Sequence, residues 1–446
     1  MKPRVAIHWF RRDLRLEDNH GLFRALTEHT DVLPLFIFDT EILNRLEDKQ
    51  DRRVDFIHQT LVDIHQQLKR LGAGVLVEHG RPVEIWRALL DRFDISVVTV
   101  NHDHEPYGLS RDNQVEELLA EQGIQLRPFK DISIFERNDV LKSDGLPYTV
   151  YTPYMRKWHE RFTADMANAF PSEQHLSAIW KWQAPALPGL AELGFEQSDL
   201  EIPAGDVSEH LLRNYAETRD LPSVAGTSRM SAHLRFGTVS VRELVRRSLK
   251  TSPKYLNELV WREFYMQILW HFPNHGSAFK PAYDNIAWLP DEEGFKTWCE
   301  GRTGYPLVDA GMRELNATGL MHNRVRMVVA SFLTKHLLID WRWGEAYFAA
   351  KLLDFELSSN NGGWQWASGS GCDAAPYFRV FNPTLQMQRF DPQLKYVKKW
   401  VPEFGTANYV QVMVVHEVAR QRAIRTYKQG LDGKKGSIER QTQLFS

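Results

Sequence analysis

The sequence predicts an α/β domain built on a parallel sheet, followed by an all-α domain. Three observations carry this. The first 130 residues alternate short apolar runs with amphipathic helical stretches, a proline-rich segment then breaks the pattern, and from about residue 206 helical periodicity dominates. Strand–helix alternation of the first kind means a parallel sheet covered on both faces.

In order along the chain, runs 5–10, 32–38, 74–78 and 95–100 read as buried strands. Segments 20–28, 53–71 and 83–93 read as helices, the second carrying apolar Phe56, Ile57, Val62, Ile64 and Leu68. Gly72 and Gly74 fall where a helix ends and act as caps, and neither a dinucleotide fingerprint nor a P-loop is present. Between 131 and 205, Pro147, Pro153, Pro171, Pro185, Pro188 and Pro203 interrupt any long periodic segment, so this stretch reads as a surface connector. Ser240-Val241-Arg242-Glu243 has the form of a capping box, and Ser252-Pro253 places a cap and a first-turn proline before 254–272. Pro306 opens a helix that closes near Gly319, and 323–339, 344–355 and 410–427 continue the helical series. The expected organisation is therefore 1–130, an α/β domain; 131–205, a connector; and 206–446, a helical domain large enough to hold a ligand between helices.

Composition excludes several classes. Of 446 residues 43% are hydrophobic and 25% charged, ordinary for a soluble globular protein. No apolar run approaches the roughly 18 residues a membrane-spanning helix needs, and the first ten residues do not form a secretory signal. Cys299 and Cys372 are too few for a disulfide scaffold or a cysteine-rich metal site, which fits a reducing cytoplasmic compartment. No metal-ligand spacing is found, since His271 and His275 are separated by Phe272-Pro273-Asn274. The net charge of −2 hides an asymmetry: residues 1–200 hold 24 Lys+Arg against 32 Asp+Glu, and residues 201–446 hold 31 against 25. Nine of the 14 Trp also lie after residue 200. A basic, aromatic-rich half points to a polyanionic partner for that half.

Four strings carry chemistry. Thr227-Ser228-Arg229-Met230-Ser231 offers hydroxyls and a guanidinium suited to a diphosphate, although alone it also reads as a polar loop capping a helix. Glu258 and Trp261 are three apart on a helix and share a face, where a carboxylate could bond the edge of a base while the indole stacks on it. Asn323 and Met327 share another helical face, with Arg324 and Arg326 pointing elsewhere. The run Asp354 to Trp366 holds two acids, two Asn, two Gly and two Trp in 13 residues. That is poor core material; Gly362-Gly363 suits close approach of the backbone to something flat, and Asn360 and Asn361 offer amides to a heterocycle.

Together these strings resemble the photolyase/cryptochrome family, from His8-Trp9-Phe10-Arg11-Arg12-Asp13-Leu14-Arg15 to about Trp400, most densely over 226–231, 257–265, 304–327 and 360–381. The resemblance implies an α/β domain and a helical domain that binds FAD. It assigns Tyr215, Thr227, Ser228, Arg229, Met230, Ser231, Tyr255, Arg262, Arg326, Asp354, Glu356 and Asn360 to that cofactor, with Asn360 beside the flavin N5 and Arg326 paired with Asp354. Glu356 stands where the family usually has Asp, which leaves room for different local redox tuning. Glu258, Trp261, Asn323, Met327 and Trp366 match the substrate face of the class I branch that repairs cyclobutane pyrimidine dimers; branches acting on (6-4) photoproducts have His at the positions of Asn323 and Met327. Arg219, Arg324 and Gln386 are the expected DNA contacts. Glu258 is expected to stabilise the dimer radical anion, and Trp364, Trp341 and Trp288 match an electron relay to the flavin. Many members of the family bind a second, light-harvesting chromophore; the alternatives here are deazaflavin, folate, flavin or none, and such a ligand would lie near Asp103-His104-Glu105-Pro106-Tyr107. The enzyme is expected to act as a monomer on dimer-containing DNA. The rival is a blue-light receptor of cryptochrome type on the same fold; the short run after Trp400 and the intact substrate face favour the enzyme.

Overall fold

The computed structural model of the protein describes residues 2–433. Strands β1 (Arg4–Phe10) and β2 (Val32–Asp39) are apolar along nearly their whole length because both faces of each are covered. With β3 (Leu76–Gly80), β4 (Asp94–Asn101) and β5 (Leu126–Phe129) they form a parallel sheet in the order β3-β2-β1-β4-β5. Pro34 in β2 lies opposite His8 and has no N–H to give, but β3 pairs with β2 only from Leu35 onward, so no ladder bond is lost on that side. The sequence reading has four strands. β5 adds a fifth at the sheet edge, where Arg127 and Pro128 leave no alternation to detect. The 15-residue helix Pro106–Ala120 is likewise an addition, and the 11-residue helix Tyr151–Arg161 corrects the expectation that the connector holds no long regular segment.

Two compact units result. The first comprises the chain up to Tyr148 with Thr152–Arg213 and Ser228–His271; the second comprises Thr149–Tyr151, Asn214–Thr227 and the chain from Phe272. In the first unit, Trp9 of β1 meets Trp86 of the helix Pro82–Arg92 edge to face at 5.5 Å, inside the core on one side of the sheet. A buried lattice of charge lies elsewhere in this unit. Asp131 accepts from Arg15 Nη2 at 2.7 Å and from Arg242 Nη2 at 2.8 Å, while Arg242 Nε donates to Asp18 at 2.8 Å. Burial alone would raise the Asp131 pKa, but the two guanidiniums outweigh it and hold the carboxyl far below its usual range. Ser240 belongs to this lattice. Its hydroxyl donates to Asp18 at 2.8 Å and makes no bond to the helix Val241–Thr251 that follows, so the capping box expected there is not formed.

Glu263 is another buried carboxyl of the unit. It sits on the helix Pro253–His271, 3% exposed, and accepts from the Ile134 and Phe135 N–H groups and from Trp158 Nε1 at 2.6 Å. Three donors from the connector thus converge on one carboxyl. Burial nevertheless dominates and pushes its pKa up to about 7.

The second unit is helical. Its core gathers Trp298, Leu307, Val308, Val325, Phe332, Trp341 and Trp364. The stretch expected as one helix over 323–339 is the helix Asn323–Ser331 followed by a wider π-turn, Phe332–His336. The stretch 344–355 shifts to Trp341–Lys351, and 410–427 to His416–Leu431. Most of the Asn- and Gly-rich string is the helix Leu357–Ser368.

Candidate functional site

On the helix Pro253–His271 of the first unit, Tyr255 is buried while Glu258, Trp261 and Arg262 stay partly accessible. Glu258 and Trp261 share a face, as their spacing requires, and the Trp261 ring leans on Tyr265 at 5.6 Å and meets Phe264 edge-on at 5.7 Å. The indole is therefore held in place by its own helix. Arg262 spends its guanidinium on main-chain carbonyls, Ile132 at 2.6 Å and Leu234 at 3.2 Å. In the loop, Ser228 shares a 2.9 Å hydrogen bond with the Tyr255 phenol, and burial pushes that phenol up to about 12, so it stays protonated. Arg229 adopts φ 53° and is exposed, as is Ser231, whereas Met230 is buried.

In the second unit, Asn323 opens its helix, exposed, one turn before the half-buried Met327. His322 caps that helix through Nδ1 to the Arg324 N–H at 3.1 Å, and burial lowers its pKa to about 4, which keeps it neutral as an acceptor. Arg324 lies over the Phe390 ring at 4.4 Å and pairs with Asp220 at 2.8 Å. Asp220 also lies 3.9 Å from Arg219, whose guanidinium covers Tyr215 at 5.6 Å. The two arginines expected at DNA thus flank one carboxylate. Arg326 takes the expected partner, Asp354, at 2.8 and 3.1 Å, and anchors itself to the Met321 carbonyl at 2.8 Å.

Glu356 is buried and starts the helix Leu357–Ser368. One turn on, Asn360 is 8% exposed and donates Nδ2 to the Glu345 carbonyl at 3.1 Å. Asn361 and Gln365 fasten the same helix. Asn361 donates to the Glu345 carboxylate at 2.8 Å, and Gln365 accepts from the Phe279 N–H at 2.8 Å. Trp364 and Trp366 are two residues apart, about 200° around a helix. Trp364 is accordingly buried while Trp366 stays partly accessible, its ring 6.4 Å from Phe381. The glycine that matters for close approach is Gly344. A Cβ there would lie 2.1 Å from the Trp364 ring. Trp341 is buried in the same core, and Trp288 packs on its margin, 5.7 Å from Tyr427. Sequence reasoning missed Gly344, Glu345 and Trp298, which meets Trp364 at 6.1 Å. Gln386, on the helix Pro383–Phe390, keeps a buried Oε1 with no hydrogen-bond partner.

These groups suit a flavin dinucleotide. Within the first unit, hydroxyls and an exposed Arg229 match a diphosphate; within the second, a fixed carboxylate–guanidinium pair and the Asn360 amide can meet the polar edges of a heterocycle.

At the carboxyl side of the sheet, the string expected near a second chromophore is tightly bound. Asp103 is buried against Arg12 at 3.1 Å and Arg111 at 3.8 Å, and the Tyr107 hydroxyl donates to Asp39. Tyr107 and Arg111 also line a cavity of about 360 Å³ with Arg45, Arg81 and Arg87. Among the described residues no group of three or more His, Cys, Asp or Glu could hold a metal, and no helix is long and apolar enough to cross a membrane.

Comparison with known proteins matches residues 6–174 to the DNA photolyase family model and 255–407 to that of the FAD binding domain of DNA photolyase. The deoxyribodipyrimidine photo-lyase of Halobacterium salinarum is 37% identical, the match covering 93% of this chain and 92% of that relative. The enzyme of that name from Escherichia coli is 33% identical over 96% of this chain and 99% of its own. A class III photolyase from Agrobacterium tumefaciens superposes with a TM-score of 0.86 at 32% identity, covering 97% of this chain and 98% of that one. An archaeal photolyase from Sulfolobus tokodaii, solved with two FAD molecules, gives 0.79 at 31%, covering 95% of this chain and 100% of that one. With family models over most of its length, and relatives above 30% identity along nearly all of it, the chain belongs to the DNA photolyase/cryptochrome family.

Proposed function

We propose that the protein is a deoxyribodipyrimidine photo-lyase, which uses blue light to split cyclobutane pyrimidine dimers in DNA. When bound, reduced FAD would supply the light-driven one-electron chemistry that opens the dimer ring. The protein's share is binding, orientation and electrostatics. A dimer stacks poorly in the duplex, which lowers the cost of flipping it out. Trp261 and Trp366 receive its faces, Asn323 and Met327 its edges, and the Glu258 carboxyl bonds a pyrimidine carbonyl where negative charge develops. Arg219, Arg324 and Gln386 engage the DNA backbone. Tyr215, the 227–231 loop, Tyr255, Arg262, Arg326, Asp354, Glu356 and Asn360 hold the cofactor, and Trp364, Trp341 and Trp288 carry electrons to it from the surface. A light-harvesting chromophore of deazaflavin, folate or flavin type is assigned to the arginine-lined cavity beside Tyr107. The enzyme works as a monomer in the cytoplasm, a setting that suits its two thiols, which burial pushes up to about 12 at Cys299 and about 11 at Cys372.

The observation that carries the reading is the accessibility of Glu258 and Trp261, and of Asn323 and Met327, on helices that bury most of their other apolar residues. Repair of a thymine-dimer oligonucleotide under blue light, against a dark control, tests it. Light-dependent recovery of intact thymines, weakened by Glu258→Ala and by Trp261→Ala, is expected. FAD binding without any repair would instead identify a receptor.

A further inference from the structure

Lys335 lies in the π-turn Phe332–His336 at 1% exposure. A buried ammonium with no carboxylate beside it is costly to the fold. Among the described residues its Nζ makes one hydrogen bond, donated at 3.0 Å to the main-chain carbonyl of Arg379. Burial, and then the Arg379 guanidinium, push its pKa down to about 8. A charge kept at such cost for a single carbonyl calls for a reason in the loop that carries the carbonyl.

That loop, residues 369–382, joins the helix bearing Trp366 to the helix bearing Gln386. It is fastened at three points. Tyr377 stacks on the fully buried Tyr427 at 6.1 Å and 7°, Val380 packs on the same small core, and Lys335 holds the Arg379 carbonyl. Amid these anchors Phe378 is 58% exposed and the Arg379 side chain reaches solvent. A cation and an apolar ring on a fixed backbone suit a distorted duplex, which offers a phosphate to one and an unstacked base to the other.

We propose that Lys335 is a positioning residue for DNA recognition, its ammonium holding the loop 369–382 in the conformation that presents Phe378 and Arg379 to the duplex beside the lesion. This rests on the photolyase reading above.

The test compares Lys335→Met and Tyr377→Leu with the wild-type holoenzyme, measuring FAD content, thermal midpoint, and KM and kcat for a dimer-containing oligonucleotide. Loss of one charge-assisted hydrogen bond should raise KM by roughly tenfold in Lys335→Met, with kcat and FAD content unchanged. Its midpoint should hold or rise, because a buried charge has gone. Tyr377→Leu should raise KM in the same direction at constant kcat. An unmoved KM in folded Lys335→Met, or a fall in kcat in step with lost FAD, overturns the proposal. Should Lys335→Met fail to fold, Tyr377→Leu decides alone, and an unchanged KM there overturns it too. A wild-type enzyme that repairs nothing under blue light fails the functional reading itself, a distinct result from wild-type repair with unmoved variants.

Discussion

Glu263 gives the sharpest test of the electrostatics. Its carboxyl titrates near its usual value of 4.5 when exposed and near 7 in the folded protein. The native state therefore binds the proton more tightly than the unfolded chain does. Stability from this group is fully present below pH 4.5 and is lost as pH rises through about 7. The gap of about 2.5 units at 1.36 kcal/mol each sets a ceiling of about 3 kcal/mol. Glu263→Gln removes the titration. The amide keeps one acceptor but turns its NH₂ toward donors, the Ile134 and Phe135 N–H groups or the Trp158 indole, at a cost of about 1–3 kcal/mol. Denaturant unfolding followed by tryptophan fluorescence from pH 4.5 to 7.5 measures both effects. The wild-type advantage over Glu263→Gln should shrink by up to about 3 kcal/mol across that window. A difference that is flat, or that grows with pH, would refute the argument that burial outweighs the three donors.

Two further substitutions probe the second unit. Gly344→Ala drives a methyl to 2.1 Å from the Trp364 ring and 2.6 Å from Leu333. Overpacking of this kind costs about 1–3 kcal/mol and should appear as a lower thermal midpoint with altered tryptophan fluorescence. Asp354→Asn leaves Arg326 without its ion pair. It should weaken FAD retention by about 1–3 kcal/mol, read from flavin absorbance after gel filtration, with the helical circular dichroism unchanged.

Strands β1 and β2 were legible because both of their faces are covered, which makes each an uninterrupted apolar run. β5 was not, because a four-residue edge strand with one Arg and one Pro carries no period. The string 354–366 was singled out by composition, which gave no sign that most of it is helical. Asn and Gly are poor helix formers, and it is packing, with Trp364 seated on Gly344, that offsets their propensity. The Arg326–Asp354 pair was visible through the family pattern. Lys335 and Glu345 were not, since a single ionisable residue in an apolar stretch gives no hint of the carbonyl or amide it meets. Ser240 shows the converse, a sound local signal overridden when a distant carboxylate takes the hydroxyl.

The lattice of Arg15, Asp18, Asp131 and Arg242 has a bearing on how the first unit comes apart. Its members come from widely separated points of the chain, and each leaves a stranded charge if any one departs. Fraying of the helix Val241–Thr251 alone is thereby penalised. That helix and the segments carrying the other three residues should exchange their amide hydrogens as one cooperative block, with no early-melting fringe around the sheet.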